Sequence, residues 1–367
     1  MVMTAATLVL ALGLLTDAAD IVVPPEPTPG ESAQAGPEEH RPAIGSVGVV
    51  DGYDLLQRGD NEESLHHLGE AIEAYQAAAT VFHKRHVKSG EATAYMRIGE
   101  IRQRQGKLAE AYTDLHKAAV LYGRATWPGE QGQALLAFGI VAESLNRPDQ
   151  ARKAYEQAAR LFLKVIDRPR RGESLIRLGR LLALHVSVKA GLPYLERAIE
   201  DARERDDYAQ IMKAQLAIGD GYLREDALAH ALETYERVLR LADHVADMRN
   251  RAAVRTRIAR IYMDTDRSAE GYPLVRTALG LYRNLRDRRG EADTLSLMGN
   301  MLLADGKPGE AVRVHEQATE LYRTLHDPIR EAGSLVNRAV VYEVRGDLPE
   351  ARDVQHQAIA LLQRPAQ

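Results

Sequence analysis

From about residue 50 to residue 365 the chain alternates short apolar runs at helical spacing with brief polar breaks. Gly132-Gln-Ala-Leu-Leu-Ala-Phe-Gly-Ile-Val-Ala142 places apolar residues three and four apart, which predicts a helix with one buried stripe. Asn146-Arg147-Pro148 breaks it. Pro148 can open a second helix, because its missing N–H has no intrahelical partner in the first turn. Ala151 to Leu163 then carries a second apolar face. Asp305-Gly306-Lys307-Pro308 and Arg345-Gly346-Asp347 repeat the same break, and Leu285 to Gly290 reads as a loop between one helix pair and the next. Strands are not expected anywhere along this stretch.

The pattern repeats at a constant interval of forty. Gly59, Gly99, Gly139, Gly179, Gly219, Ala259, Gly299 and Ala339 follow one another without insertion or deletion. Twelve positions after each stands Ala71, Ala111, Ala151, Gly191, Ala231, Gly271, Ala311 or Ala351, and seven further on Ala78, Ala118, Ala158, Ala198, Val238, Ala278, Ala318 or Ala358. Such a fixed period means stacked repeats. Small residues are required where two helices cross closely. Ala151 and Ala158 are two turns apart on one face, where they can meet Gly139. Leu at residue 139 would overpack that crossing by about 1–3 kcal/mol. A larger column, Leu121, Leu161, Leu241, Leu281, Leu321 and Leu361, is expected to stack on the next repeat. Three places depart from the pattern. Gly59 to Glu63 reads as a turn where the register wants helix. Pro193 and Pro273 should make their helices kink or start late. His185-Val186-Ser187-Val188 has no clear turn residue.

The Gly99, Ala111 and Ala118 columns, with Tyr75, Tyr155 and Tyr235 between the two alanine columns, resemble the tetratricopeptide repeat family over residues 50–365. The resemblance implies an all-α, right-handed superhelical solenoid of about eight antiparallel helix pairs. The usual repeat of that family is about 34 residues long. The longer repeat here implies a longer second helix or inter-repeat loop. Variants of this greater length occur in the adaptors named for Leu-Gly-Asn repeats, and Met298-Gly299-Asn300 is similar to that tripeptide except at its first residue. In this family the first helix of each pair lines a concave groove that holds a protein or peptide.

Composition narrows the function. With 48 basic and 52 acidic residues the net charge is −4, which gives no overall field for nucleic acid or an anionic membrane. The absence of cysteine removes thiol catalysis, disulfides and cysteine-bound metals. Residues 1–20 read as a signal peptide or a hydrophobic N-terminal segment. Val2 to Leu15 is apolar, yet as a helix it would span only about 21 Å, short of the membrane core. Asp17-Ala18-Ala19 follows, but no Lys or Arg precedes Arg41. A signal would place the protein in the periplasm or outside the cell; without one it is cytoplasmic. Residues 21–46, with Pro24, Pro25, Pro27, Pro29, Pro37 and Pro42, read as a disordered linker before a repeat domain spanning 47–365.

No nucleotide-binding, metalloprotease or serine-hydrolase motif is present, and no cofactor or metal is expected. His83 and His86 lack carboxylate support for a metal. Trp127 is either an exposed anchor or a cap on its own repeat. The candidate binding residues lie on the first helices: Arg97, Arg104, Arg177, Arg180, Arg224, Arg257 and Arg260, with Arg97, Arg177 and Arg257 in one column and Arg180 and Arg260 in another. Guanidinium groups grip carboxylates bidentately, which favours an acidic or C-terminal segment of another protein. The alternative is that these arginines pair internally with residues such as Glu173 or Asp220. Asn300 and Asn337 fall in the same two columns and can hold an extended peptide. The lysine that a chaperone-tail clamp needs beside such asparagines is absent from Leu56, Met96, Leu136, Ile176, Leu216, Thr256, Ser296 and Val336. The expected function is therefore a scaffold for another protein or peptide, without nucleic acid or a stable membrane span. The alternatives are a peptide-sensing regulator and an accessory subunit of a separate enzyme.

Overall fold

A computed structural model describes residues 51–363. The predicted signal segment and the proline-rich linker lie outside the described residues. The described residues form sixteen helices: α1 (Gly52–Ser64), α2 (Leu68–Lys84), α3 (Lys88–Arg104), α4 (Leu108–Ala125), α5 (Pro128–Ser144), α6 (Pro148–Lys164), α7 (Arg168–His185), α8 (Val188–Arg203), α9 (Tyr208–Arg224), α10 (Leu228–His244), α11 (Met248–Asp264), α12 (Ser268–Asn284), α13 (Arg288–Ala304), α14 (Pro308–Thr324), α15 (Pro328–Arg345) and α16 (Leu348–Leu362). Odd-numbered helices are the first and even-numbered helices the second members of eight pairs. Two compact units divide the array, residues 51–234 and 235–363. Within each, helices consecutive in sequence pack on one another.

Each repeat divides into two nearly equal halves. Most helices are alike in length, such as α2, α3, α5 and α6 with 17 residues each. Short turns of two to four residues, mostly three, join the helices, so the added length lies in the helices rather than in a loop. The turns share one geometry. At fourteen of the fifteen junctions the residue at 66, 86, 106 and so on, one per half repeat, has φ between +53° and +86°. That left-handed residue lets the next N–H reach back to a carbonyl five positions earlier, as in Val87 to Phe82 (2.9 Å), Lys107 to Arg102 (2.9 Å) and Asp347 to Tyr342 (2.9 Å). The exception is Val186, with φ −120°. There Ser187 is extended, and its hydroxyl accepts from the Ala190 N–H (3.2 Å) to cap α8. This is the junction where the sequence shows no turn residue. Beside it α7 and α9 touch directly, Ala183 against Gly221.

All twenty-four positions of the three small columns are buried. What faces the glycines is a bulky side chain between the two alanine columns, rather than the alanines themselves. A β-carbon on Gly99 would stand 2.6 Å from Leu115, on Gly179 2.5 Å from Leu195, and on Gly299 2.6 Å from His315. Where the facing residue is the smaller Val275, the first helix carries Ala259. In the leucine column Leu121 shares a cluster with Ala134 and Leu135 of the next pair, as expected, whereas Leu161 and Leu321 join clusters shared with the preceding pair.

One expectation is corrected, and a second is corrected in one of its two alternatives. Gly59 to Glu63 is helical within α1, and the turn follows at Leu65 to His67. Gly59 lies against the Tyr75 ring, whose hydroxyl donates to Asp60 (2.6 Å) and Glu63 (3.0 Å), so the polar run forms helix that anchors α2. Helices α8 and α12 do not start late. They begin in register at Val188 and Ser268, with Pro193 and Pro273 inside them. A proline at the sixth helical position forfeits only its own bond to the carbonyl four positions before, and the buried faces of Gly191, Leu195, Gly271 and Val275 hold the first turn in place.

Candidate functional site

Helix starts fix the orientation of the first helices. Asp167, Asp207, Asp247, Asp287 and Asp327 precede α7, α9, α11, α13 and α15, and each carboxylate accepts from the N–H three positions on, at 2.9–3.1 Å. Arg249 reaches forward to Asp287 (3.2 Å) and Arg289 to Asp327 (3.0 Å), so successive caps are stitched along one edge. This aspartate column, at the period of the repeat, is legible in the sequence but was not singled out there.

Within each unit, a face of the first helices carries the candidate residues. In residues 51–234 its apolar positions are Leu56, Met96, Leu136, Ile176 and Leu216; all but Ile176 are partly exposed. The arginines beside them are mostly engaged. Arg97 lies 3.9 Å from Asp60 of α1 and 3.5 Å from Glu100. Arg104 pairs with Glu63. Arg177 donates to Glu173 (2.8 Å), which also meets Lys213 of α9 (3.6 Å), and Arg180 donates to Glu143 of α5 (2.7 Å). Burial works against the charge on Arg177, but Glu173 and its neighbours outweigh it and raise the guanidinium pKa above its ordinary value. Burial lifts the Glu100 carboxyl above the usual range despite Arg97. Glu143 also accepts from the Tyr155 hydroxyl (2.8 Å), whose pKa is raised by burial and by that carboxylate.

Two arginines differ. Arg224, at the end of α9, and Arg260, in α11, are exposed and form no ion pair or hydrogen bond among the described residues. Arg257 is half-buried in α11 near Tyr282; burial pushes that hydroxyl up to about 12, against the pull of the guanidinium. Asn300 is half-buried on α13. Asn337 on α15 reaches Ser296 at 3.5 Å. The candidate arginines therefore fall into paired and unpaired groups, and the internal partners include Asp60, Glu63, Glu100, Glu143 and Glu173. A sequence signal for two of these exists: Glu63/Tyr75 and Glu143/Tyr155 recur at a spacing of 12, as does Glu343/Gln355, where the amide donates to the carboxylate at 2.7 Å.

The remaining sequence candidates are structural. His83 bonds Glu91 (3.2 Å), while His86 forms the following turn. Trp127 precedes α5, stacks on Tyr122 with ring centres 6.3 Å apart, and packs against the surrounding core, which is the capping role. Among the described residues no helix is long and apolar enough to cross a membrane.

Comparison with known proteins places these features in a family. A family model described as tetratricopeptide repeat matches residues 90–164 and 250–324, and a second of the same description matches 136–209; together they cover more than half of the chain. None of the curated proteins matches the chain. Among solved structures, the chain is similar to the apo form of the quorum sensor NprR from B. thuringiensis, at 14% identity over 86% of this chain and 89% of that one, with a TM-score of 0.65. It is also similar to apo RapI (12%, 75% and 98%, TM-score 0.58). A third is the Rap conjugation gene regulator of plasmid pLS20 in complex with the Phr* peptide (12%, 86% and 96%, TM-score 0.52). At these identities the likeness is one of fold.

Proposed function

The chain belongs to the tetratricopeptide repeat family, and from that premise we propose that it is a binding scaffold whose first helices hold a segment of another protein rather than catalysing a reaction. The observation that carries this reading is the division of the cations on those helices. Arg97, Arg104, Arg177 and Arg180 are neutralised by neighbouring carboxylates, while Arg224 and Arg260 are left open to solvent. In residues 51–234 a partly exposed apolar row, Leu56, Met96, Leu136 and Leu216, supplies contact area, and an acidic group on the partner finds Arg224 without an internal competitor; Arg260 offers such a cation in residues 235–363. The similar fold of a regulator solved with a peptide bound supports a peptide-sized segment as the occupant, and favours peptide sensing as the second reading. An N-terminal export signal would place this binding outside the cytoplasm.

Capture from native lysate on the full chain tests the proposal, run beside an Arg224→Glu/Arg260→Glu variant of equal helix content. A partner held by the wild type and lost by the variant supports recognition by these arginines. Partners retained equally by both would refute it. Cell fractionation with N-terminal sequencing of the recovered protein tests export: a mature chain starting near residue 20 in the exported fraction is the expected outcome.

A further inference from the structure

The pair α7–α8 departs in three ways from the commoner pattern of the pairs, and all three departures meet at one place. The first is in the leucine column of the second helices. At the α8 position in that column stands Asp201, only 5% exposed. A buried carboxylate needs compensation. Arg171 Nη1 lies 3.1 Å from Asp201 Oδ2 and Arg197 Nε 3.3 Å from Oδ1, but the approach of Arg171 is off the hydrogen-bond axis and Oδ2 has no hydrogen-bond partner.

The second departure concerns the junctions between pairs. At four of the six other junctions the end of one second helix pairs in charge with the start of the next first helix: His83 with Glu91 (3.2 Å), Asp243 with Arg251 (2.6 Å), Arg283 with Glu291 (2.8 Å) and Arg323 with Glu331 (3.0 Å); the other two carry Gly123 with Gln131 and Arg203 with Ile211. Between α6 and α7 the first member is Leu163, which is 55% exposed, and Arg171 turns across to α8 instead. The third departure is Ile166. It holds the left-handed turn position at φ +61° with 79% of its surface exposed. A β-branched side chain is strained there, and an apolar one gains nothing from water.

Together these residues enclose a hollow of about 210 Å³ on the α6–α7 turn. Leu163 and Ile166 form an apolar shelf beside Arg168, Arg171 and Arg197. Arg168 Nη1 and Glu204 Oε2, 2.6 Å apart, close the rim. Both are half or more exposed, so their pairing is weak and an incoming carboxylate can replace Glu204 at little cost. Arg197 Nη1 also holds Glu200 Oε2 at 3.1 Å, in a pair as exposed and as weak as that of Arg168 with Glu204. With Glu200 and Glu204 displaced, three guanidinium groups face Asp201 alone, which selects acidic over basic partners.

We propose that this hollow is a docking point for a protein segment that carries a bulky apolar side chain next to an Asp or Glu. The apolar group covers Leu163 and Ile166, and the carboxylate takes Arg168 and Arg197. The surface is built from the α6–α7 turn, the first turn of α7, and α8, and it contains none of the candidate arginines of the first helices, so it does not depend on that proposal.

The test is selection of a displayed random heptapeptide library on the full-length chain, followed by fluorescence anisotropy with a labelled peptide of the selected consensus. The expected consensus pairs an apolar residue with a neighbouring Asp or Glu. Its affinity should fall by roughly tenfold or more in Ile166→Asn and in Arg168→Glu/Arg197→Glu, the range for loss of a central contact. It should be unchanged in Arg224→Glu/Arg260→Glu. Asn tolerates the left-handed conformation, so Ile166→Asn should melt no lower than the wild type, and its loss of binding cannot be attributed to unfolding. The proposal is overturned by no selected peptide, by a consensus lacking acid or apolar residue, by unchanged affinity in both turn variants, or by loss in the Arg224→Glu/Arg260→Glu variant.

Discussion

Gly139 of α5 lies beneath the ring of Tyr155 of α6, so close that a β-carbon at residue 139 would stand 2.5 Å from Cε1 of the tyrosine. Tyr155 is fully buried, and its hydroxyl is tied to Glu143 at 2.8 Å, so the ring has no free direction in which to yield. Gly139→Ala should therefore destabilise the protein by about 1–3 kcal/mol through overpacking. Tyr155→Val should relieve that strain, because Ala259 and Val275 are the corresponding residues of another pair. Urea denaturation of both single variants and the double variant measures the coupling. Strict additivity would show that the two side chains do not share one space.

His315 occupies the equivalent slot opposite Gly299, fully buried, with no hydrogen-bond partner on either ring nitrogen. Burial, and then the Arg338 charge, lower its pKa to about 4. The unfolded chain binds this proton near pH 6.5 and the folded chain only near pH 4. The stability this group contributes is therefore complete above about pH 6.5 and falls as the pH drops towards 4, by up to about 3 kcal/mol. His315→Leu introduces the residue that Leu115 and Leu195 provide opposite Gly99 and Gly179. Its melting temperature should decline less than that of the wild type over the same pH range; parallel declines would exclude His315 as the source.

Asp327 accepts from the Arg330 N–H (3.1 Å) and pairs with both Arg330 (2.9 Å) and Arg289 (3.0 Å). Asp327→Ala should cost about 1–2 kcal/mol, the range for loss of a helix cap. Asp327→Asn keeps the cap and gives up only the charge, so it should cost less. If thermal denaturation ranks the two variants equally, the ion pairs rather than the cap hold α15.

Charge reversal should separate the two groups of arginines. Arg180→Glu sets a carboxylate against Glu143 and removes a 2.7 Å bond, so it should lower the melting temperature measurably. Arg224→Glu disturbs no such partner and should remain within about 0.5 kcal/mol of the wild type, as surface substitutions do. A comparable loss in both would mean that Arg224 has a structural partner after all.

Much of the fold is written locally. The residues at 99, 111 and 118 and their counterparts must be small because a helix crossing leaves no room for more, and that demand leaves a column in the sequence. Pro148 and Pro308 mark helix starts for an equally local reason. The turns are partly legible: Gly106, Gly306 and Gly346, Asn146, and the Asp and His residues suit the left-handed position, while Thr126, Ile166, Ala246 and Arg286 do not advertise it. At those four the packing of the flanking helices imposes the geometry, so no residue preference records it. For the same reason Gly59 to Glu63 looks like a turn in isolation yet folds as helix once Tyr75 binds its polar groups.

The sequence alone determined the period, the helix pairs and the rows in which arginines stand, because these follow from residue size, helical spacing and proline. The tertiary structure decided which of those charges remain available. Arg180 and Glu143 are 37 residues apart, and Arg104 and Glu63 are 41 apart. Pairing at such separations depends on side-chain reach between neighbouring first helices, which no local rule encodes. The same holds at Asp201, whose burial and arginine partners arise only when α6, α7 and α8 come together.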